Sequence, residues 1–202
     1  MPVNRSSRVN GLLLVLAMVA LMWLSELFDT ALGGDLDQYG IVPRTDEGAA
    51  GIAAAPFLHV GFGHLISNTV PFLTMGALIA LGGLARVLLV TVIVAAVSGA
   101  GTWLIASGSS VHLGASGVVF GYATYLITRG LLERKLSHLA VAIAIAVTWG
   151  AALLGGLLPQ DGISWQAHLF GAAGGVVAAR VLARRLPAER APATRPAPPS
   201  LY

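Results

Sequence analysis

One serine of this chain lies in a setting that suits a nucleophile. Ser116 stands in the run Gly114-Ala115-Ser116-Gly117, close to the start of an apolar segment. A serine hydroxyl is a weak nucleophile at neutral pH and needs an adjacent base. The glycines allow another backbone to approach closely, and a helix that begins here would direct free N–H groups toward a developing oxyanion. Taken alone, the run also fits a simple helix-packing role.

The candidate base is His168, which is followed by Gly171 and Gly175 in another apolar segment. Residues three and four positions apart share one helical face, and glycines four apart are typical of tightly packed membrane helices. Gly117 and Gly121 form a matching stripe on the segment of the candidate nucleophile. Two such faces allow the backbones to approach until a Ser–His hydrogen bond forms. A buried histidine bonded to a backbone carbonyl, or a metal ligand, stays open as an alternative.

A third segment begins with His64 and Asn68, which are four residues apart and share one helical face. Both can donate hydrogen bonds, and donors aimed at a developing negative oxygen lower the barrier to acyl transfer. Interhelical hydrogen bonding is the alternative role. No acidic residue is an obvious partner for the histidine. Glu26 and Asp29 lie near the end of the first apolar segment, and the other acidic residues on the outer side of the predicted bundle lie in loops. We therefore predict a Ser–His dyad whose imidazole is oriented by packing.

The composition indicates where these residues operate. Of 202 residues, 56% are hydrophobic and only 10% are charged, and the mean hydropathy is +0.80. A soluble domain carries about a quarter charged residues, so this chain has too little polar surface for a water-soluble globule. The basic residues stand at the ends of apolar runs, which argues against nucleic acid as a partner. The absence of cysteine excludes disulfides and thiolate metal sites.

We predict an all-α polytopic membrane protein, a six-helix bundle, because six segments approach the roughly 20 apolar residues that cross a bilayer. The first segment lacks a small-residue cleavage site after its core, so we interpret it as a retained helix and not a signal peptide. The predicted organisation is a cytoplasmic N-terminus (1–8), a transmembrane domain (9–185) with an external loop (29–63), and a disordered cytoplasmic tail (186–202). The predicted spans are about 9–28, 64–83, 86–107, 113–131, 139–158 and 165–183.

The charges predict the orientation of this bundle. Basic residues gather at both ends of the chain and at the connections after the second and fourth spans, whereas the opposite side carries mainly acidic residues. This distribution predicts that both termini are cytoplasmic. Spans two, four and six then run from outside to inside. Asn68, Ser116 and His168 are therefore expected at a similar depth below the outer surface.

Together these motifs resemble the rhomboid family of intramembrane serine proteases, in its bacterial six-span form. The resemblance covers the six-span core and rests on three motifs in the right order. They are Gly114-Ala115-Ser116-Gly117 at the start of span four, Ala167-His168 followed by spaced glycines in span six, and His64-Leu65-Ile66-Ser67-Asn68 at the start of span two.

The resemblance implies a role for each of these residues. Ser116 would attack the scissile carbonyl and His168 would take and return the proton. His64, Asn68 and the backbone N–H of Ser116 would hold the oxyanion. The residues implied to be structural or near the site are Gly114, Gly117, Phe120, Gly171, Gly175 and His59.

The same resemblance implies the substrates and the location, and two positions of this chain differ from the family pattern. The substrates would be single-span membrane proteins in the lipid bilayer of a bacterial cell membrane, and neither a cofactor nor a metal is implied. Phe120 stands where many members have a tyrosine packed against the histidine, so the ring is kept and the hydroxyl is lost. By the same resemblance Arg44 would correspond to a structural arginine of the family's first loop, although Pro43 stands where the family often has tryptophan.

Two other functions compete with proteolysis. One is a non-catalytic rhomboid-like protein that binds transmembrane partners, against which the intact Ser–His pair argues. The other is a metalloprotease or metal transporter that uses His59, His64 and His168, but the chain has no H-E-x-x-H motif. His112, in the loop before Ser116, is expected to be solvated or structural. The sequence does not indicate the oligomeric state or the identity of substrates.

Overall fold

A computed structural model describes residues 3–183, so the predicted tail 186–202 lies outside the described residues. The described part folds into seven α-helices, and its β-type pairing is an isolated bridge between Ile41 and His112. The predicted all-α class is confirmed. The helices are α1 (Arg5–Leu32), α2 (Asp46–Ala54), α3 (Gly61–Ala80), α4 (Leu84–Ile105), α5 (Ser116–Glu133), α6 (Leu136–Gly156) and α7 (Trp165–Ala183).

The first helix is longer at both ends than the predicted span 9–28. The side chain of Asn4 accepts a hydrogen bond from the backbone N–H of Ser7 at 2.7 Å, so an N-cap starts the helix early. Gly33 ends the helix at a φ of 84°, in the left-handed conformation that favours glycine. Residues 29–32, which the sequence pattern places in the external loop, therefore belong to α1.

The segment between α1 and α3 is ordered by a short helix and by ties to α4. Thr45 caps α2 by accepting from the backbone N–H of Gly48 at 3.0 Å. Nη1 of Arg44 donates to the carbonyls of Ala106, at 2.7 Å, and Leu104, at 3.2 Å. The end of a helix leaves carbonyls without intrahelical partners, and Arg44 satisfies two of them at the end of α4.

The central helix is α5, which packs most extensively on α7 and also contacts α3, α4 and α6. The close approach of α5 and α7 depends on glycine. A Cβ at Gly171 would collide with the carbonyl of Gly117, and one at Gly175 would collide with the carbonyl of Gly121. Backbones that touch this closely bring side chains on the two helices within hydrogen-bond reach.

The outside of the bundle is apolar. On α6 only Ala142 and Ile145 are buried, and Val147 is 79% exposed. The helices α1, α3, α4 and α6 are long and apolar enough to cross a membrane, and α5 and α7 are not among them. The small and polar residues of α5 and α7 lower their hydropathy, and these helices are buried by their neighbours. The count of six crossings stays a prediction from the sequence pattern.

Candidate active site

The starts of α3, α5 and α7 meet at one end of the bundle, which we name the mouth. A cavity of about 1020 Å³ opens there, with α3 on one side and α6 on the other. No extensive contact joins these two helices in the described part of the chain. The predicted site residues His64, Asn68, Ser116 and His168 all line this cavity.

The candidate nucleophile follows a turn that suits only glycine. Gly114 has a φ of 112°, in the left-handed region, and its N–H donates to the carbonyl of Ala55 at 2.8 Å. A Cβ at this position would also lie 2.5 Å from Cε1 of His64. Ser116 follows as the first residue of α5 and is half-buried. The turn therefore places Ser116 at a helix start, where backbone N–H groups have no intrahelical acceptor.

Ser116 and His168 are in direct contact. Oγ of Ser116 lies 2.8 Å from Nε2 of His168, and Nδ1 of the same ring lies 2.7 Å from the carbonyl oxygen of Gly156. A carbonyl can only accept a hydrogen bond, so Nδ1 carries a proton. In the neutral ring Nε2 is then free to accept from the serine hydroxyl, which is the polarity that a general base requires.

Two further features surround the His168 ring. Phe120 stacks on it, with ring centroids 4.0 Å apart and an interplanar angle of 7°. Gly156 leaves room beside it, because a Cβ there would lie 2.6 Å from Cζ of Phe120 and 3.0 Å from Nδ1 of His168. A backbone carbonyl and an aromatic face thus orient this imidazole, in the place of the carboxylate of a Ser-His-Asp triad.

The α3 residues His64 and Asn68 face the cavity from the opposite side. Nδ2 of Asn68 donates to the carbonyl of His64 at 2.9 Å, and the residue is only 4% exposed. An amide nitrogen carries two protons, so one remains for a group in the cavity. The His64 ring lies against Gly114, beside the turn that precedes Ser116. This placement suits the predicted oxyanion role, which stays a prediction.

His59 lies behind the turn and not in the cavity. Its ring is 1% exposed, its Nε2 accepts from the backbone N–H of Ala115 at 3.3 Å, and it meets the His64 ring edge-on. Burial, and then the neighbouring His64, lower the pKa of His59 to about 4, so the ring is neutral near pH 7. A neutral acceptor therefore holds the backbone directly before Ser116.

Two residues at the site carry no motif and were missed by reasoning from sequence. Gly156 ends α6 and supplies the carbonyl that orients His168, and two glycines at the end of an apolar run are its only signal. Ser98 of α4 is 6% exposed and donates to the carbonyl of Ala167, immediately before His168, at 2.8 Å. Its signal is a polar residue in a strongly apolar span.

The histidines that were considered as metal ligands make other contacts. In residues 3–183 no group of three or more His, Cys, Asp or Glu side chains is close enough to hold an ion. Both ring nitrogens of His168 contact Ser116 and Gly156, and the Nε2 of His59 is bonded to backbone. The arrangement can move a proton between a hydroxyl and an imidazole, which is the chemistry of acyl transfer.

A family model and several known proteins match this chain. A family model described as the rhomboid domain matches residues 47–185. An uncharacterized protein of Mycobacterium tuberculosis (strain ATCC 25618 / H37Rv) is 41% identical over 187 residues, which cover 89% of this chain and 78% of the relative. A second uncharacterized protein, from Mycobacterium leprae (strain TN), is 39% identical over 189 residues, which cover 89% and 74%.

A more distant relative has a functional name. The Bacillus subtilis (strain 168) protein named "Putative rhomboid protease YdcA" is 34% identical over 119 residues, which cover 58% of this chain and 59% of the relative. Together with the four helices that are apolar enough to cross a membrane, these matches describe a multi-pass membrane protein.

Proposed function

The chain belongs to the rhomboid family, and from that premise we propose that it is an intramembrane serine endopeptidase. It cleaves transmembrane segments of single-span membrane proteins near the mouth, with Ser116 as the nucleophile and His168 as its base. The observation that carries the proposal is the 2.8 Å contact between Ser116 Oγ and His168 Nε2, in a ring whose tautomer is set by the carbonyl of Gly156.

Acylation begins when Oγ of Ser116 attacks the scissile carbonyl carbon and the hydroxyl proton moves to Nε2 of His168. The resulting imidazolium keeps its Nδ1–H bond to the carbonyl of Gly156, so the ring does not turn. Collapse of the tetrahedral intermediate breaks the C–N bond, and the Nε2 proton passes to the leaving amine. Water then attacks the acyl ester with His168 as base, which releases a carboxylic acid and restores the serine.

The negative oxygen of each tetrahedral intermediate needs hydrogen-bond donors. In the proposed mechanism these are the backbone N–H of Ser116 and the side chains of His64 and Asn68. The shared cavity and the second amide proton of Asn68 support this assignment. A donor that acts mainly in the transition state raises kcat more than it raises affinity.

Two features support a substrate that arrives within the membrane. The cavity lies between α3 and α6, and within residues 3–183 α6 packs extensively only on α5, so a helix from the bilayer has a lateral path to Ser116. The cavity wall also carries serine, histidine and asparagine side chains, which allow water to reach membrane depth. A single-span protein that unwinds near the mouth fits both features.

The proposal is tested by labelling purified protein in detergent with a fluorophosphonate. Wild type should be labelled, and Ser116→Ala and His168→Ala should not, while Ser109→Ala, an exposed serine in the loop before α5, should label like wild type. Cleavage of a single-span substrate should follow the same pattern. An unlabelled wild type, in a detergent where a known serine hydrolase is labelled, would favour a non-catalytic relative that binds transmembrane partners.

We also propose that the protein lies in a bacterial cell membrane, because its relatives are bacterial proteins. Its basic residues support an orientation with both termini cytoplasmic and the mouth facing outward. The chain has no cysteine, so a single introduced cysteine reports on its own position. Ser109→Cys, near the mouth, should react with an impermeant maleimide in intact cells. Arg134→Cys, at the opposite end, should react only after lysis, and the reverse pattern would invert the proposed orientation.

A further inference from the structure

A second serine–histidine pair lies on the mouth side of the first. Nδ1 of His112 is 2.8 Å from Oγ of Ser164. His112 precedes Ser116 by four residues, and Ser164 precedes His168 by four. The outer pair (His112 and Ser164) and the inner pair (Ser116 and His168) therefore join the same two segments, each across 52 residues, with the two residue types exchanged. Both pairs line the cavity.

Each member of the outer pair also makes backbone hydrogen bonds. The backbone of His112 pairs with Ile41 in both directions, at 2.8 and 2.9 Å, and its Nε2 lies 2.8 Å from Oγ of Ser110. The carbonyl of Ser164 accepts from the N–H of His168 at 3.1 Å. The outer pair thus connects an anchored loop to the helical turn that carries the base.

The inner pair is held on its other side by the contact between glycines. A Cβ at Gly171 would collide with the carbonyl of Gly117, and both glycines lie deeper in the bundle than the inner pair. This contact sets the spacing of α5 and α7 on the deep side. On the mouth side, α7 follows the connection 157–164, and the outer pair ties the last residue of that connection to the segment before α5.

We propose that the outer pair is a clamp that sets the spacing between the starts of α5 and α7 and so holds Ser116 within hydrogen-bond reach of His168. The proposal rests on the proposed function, because it assigns positioning residues for that reaction. Hydroxyl groups hold both nitrogens of the His112 ring. A hydroxyl can donate or accept, so the clamp persists in either protonation state of the ring.

The clamp is tested by comparing Ser164→Thr with Ser164→Val, because the two side chains share one branched shape and only threonine has a hydroxyl. The readout is the rate constant of fluorophosphonate labelling, since a small probe reaches Ser116 without docking a transmembrane segment. We expect the threonine variant to stay within about twofold of wild type. The valine variant should label roughly fivefold more slowly, the factor for a hydrogen bond of about 1 kcal/mol. Ser109→Ala is the matched control.

The same comparison in a His112→Ala background distinguishes the clamp from simple capping of α7 by Ser164. In His112→Ala, the threonine and valine variants should label at one rate, because the partner of the hydroxyl is gone. His112→Ala alone should show the same roughly fivefold loss, so the test stands even if valine at 164 prevents purification. With a single-span substrate, the loss should appear in kcat while KM and the midpoint of the pH–rate profile stay at wild-type values.

Several outcomes would overturn the clamp. They are equal labelling of the threonine and valine variants with His112 present, a valine effect that persists in His112→Ala, and a wild-type rate in His112→Ala. A wild-type protein that is not labelled at Ser116 is a different failure, because it overturns the proposed function and the clamp falls with it.

Discussion

Replacing His59 by glutamine should make the fold less sensitive to acid. The His59 ring is 1% exposed and accepts from the backbone N–H of Ala115, so the folded protein holds it in the neutral form. Burial lowers its pKa from 6.5 to about 4. Glutamine offers an amide oxygen as acceptor and does not titrate. The substitution therefore removes the titration while a hydrogen-bond acceptor remains behind Ser116.

The sign of the effect follows from which state binds the proton. Between pH 6.5 and pH 4 the unfolded chain protonates His59 and the folded protein does not, so the free energy of unfolding falls as the pH falls. Above pH 6.5 neither state is protonated and nothing is lost. At about 1.4 kcal/mol for each unit of pKa, these two pKa values imply a loss of about 2.5 kcal/mol between pH 7.5 and pH 4.5.

The measurement is SDS-driven unfolding of purified protein in mixed micelles at pH 7.5 and pH 4.5, followed by tryptophan fluorescence. Carboxylates and the histidines that do not touch His59 titrate in both proteins, so their contributions cancel in the difference between wild type and His59→Gln. Wild type should lose about 2.5 kcal/mol more than the variant over this range. An equal loss in the two proteins would refute the lowered pKa and the neutral acceptor that it implies.

Three further predictions concern the site and its supports. Gly156→Ala should slow fluorophosphonate labelling about tenfold, because the added Cβ displaces the His168 ring, whereas Gly155→Ala meets open space and should label like wild type. Asn68→Ala should lower kcat for cleavage by roughly 100-fold with little change in KM, and a pure KM effect would place it in substrate binding. Arg44→Ala should lower the free energy of unfolding by about 1–2 kcal/mol, because two carbonyls at the end of α4 lose their donor, and an unchanged SDS midpoint would contradict that role.

The side-chain chemistry of the site could be predicted because polar residues in apolar helices are costly and therefore informative. Ser116, His168 and Asn68 stand out in the sequence for this reason. The glycines at 171 and 175 also indicate which face of α7 approaches another helix, and the structure places α5 against that face. Residue type and helical spacing together were enough to predict that these side chains lie close together.

Backbone groups, and hydrogen-bond partners that are distant in the sequence, are not indicated by any sequence pattern. The carbonyl that orients His168 belongs to Gly156, and every residue type has a carbonyl, so only the missing side chain is visible in the sequence. His112 was expected to be solvated or structural, but its partner Ser164 lies 52 residues away and no local pattern reveals that contact. Hydropathy likewise misses the start of α1, because the cap at Asn4 is a polar interaction.

The least apolar long helices carry the chemistry and also occupy the centre of the bundle, and both facts have one physical cause. A polar group that faces lipid has no partner, so α5 and α7 must be shielded by neighbours or open to a water-filled cavity. The cavity lies in front of the Ser116–His168 pair, so its geometry has to come from the residues behind it and from the outer pair on the mouth side. Substitutions there, at Gly156 or Gly171, should disturb packing and catalysis together. Substitutions of groups that face the cavity, such as the hydroxyl of Ser116, should remove activity while the fold persists.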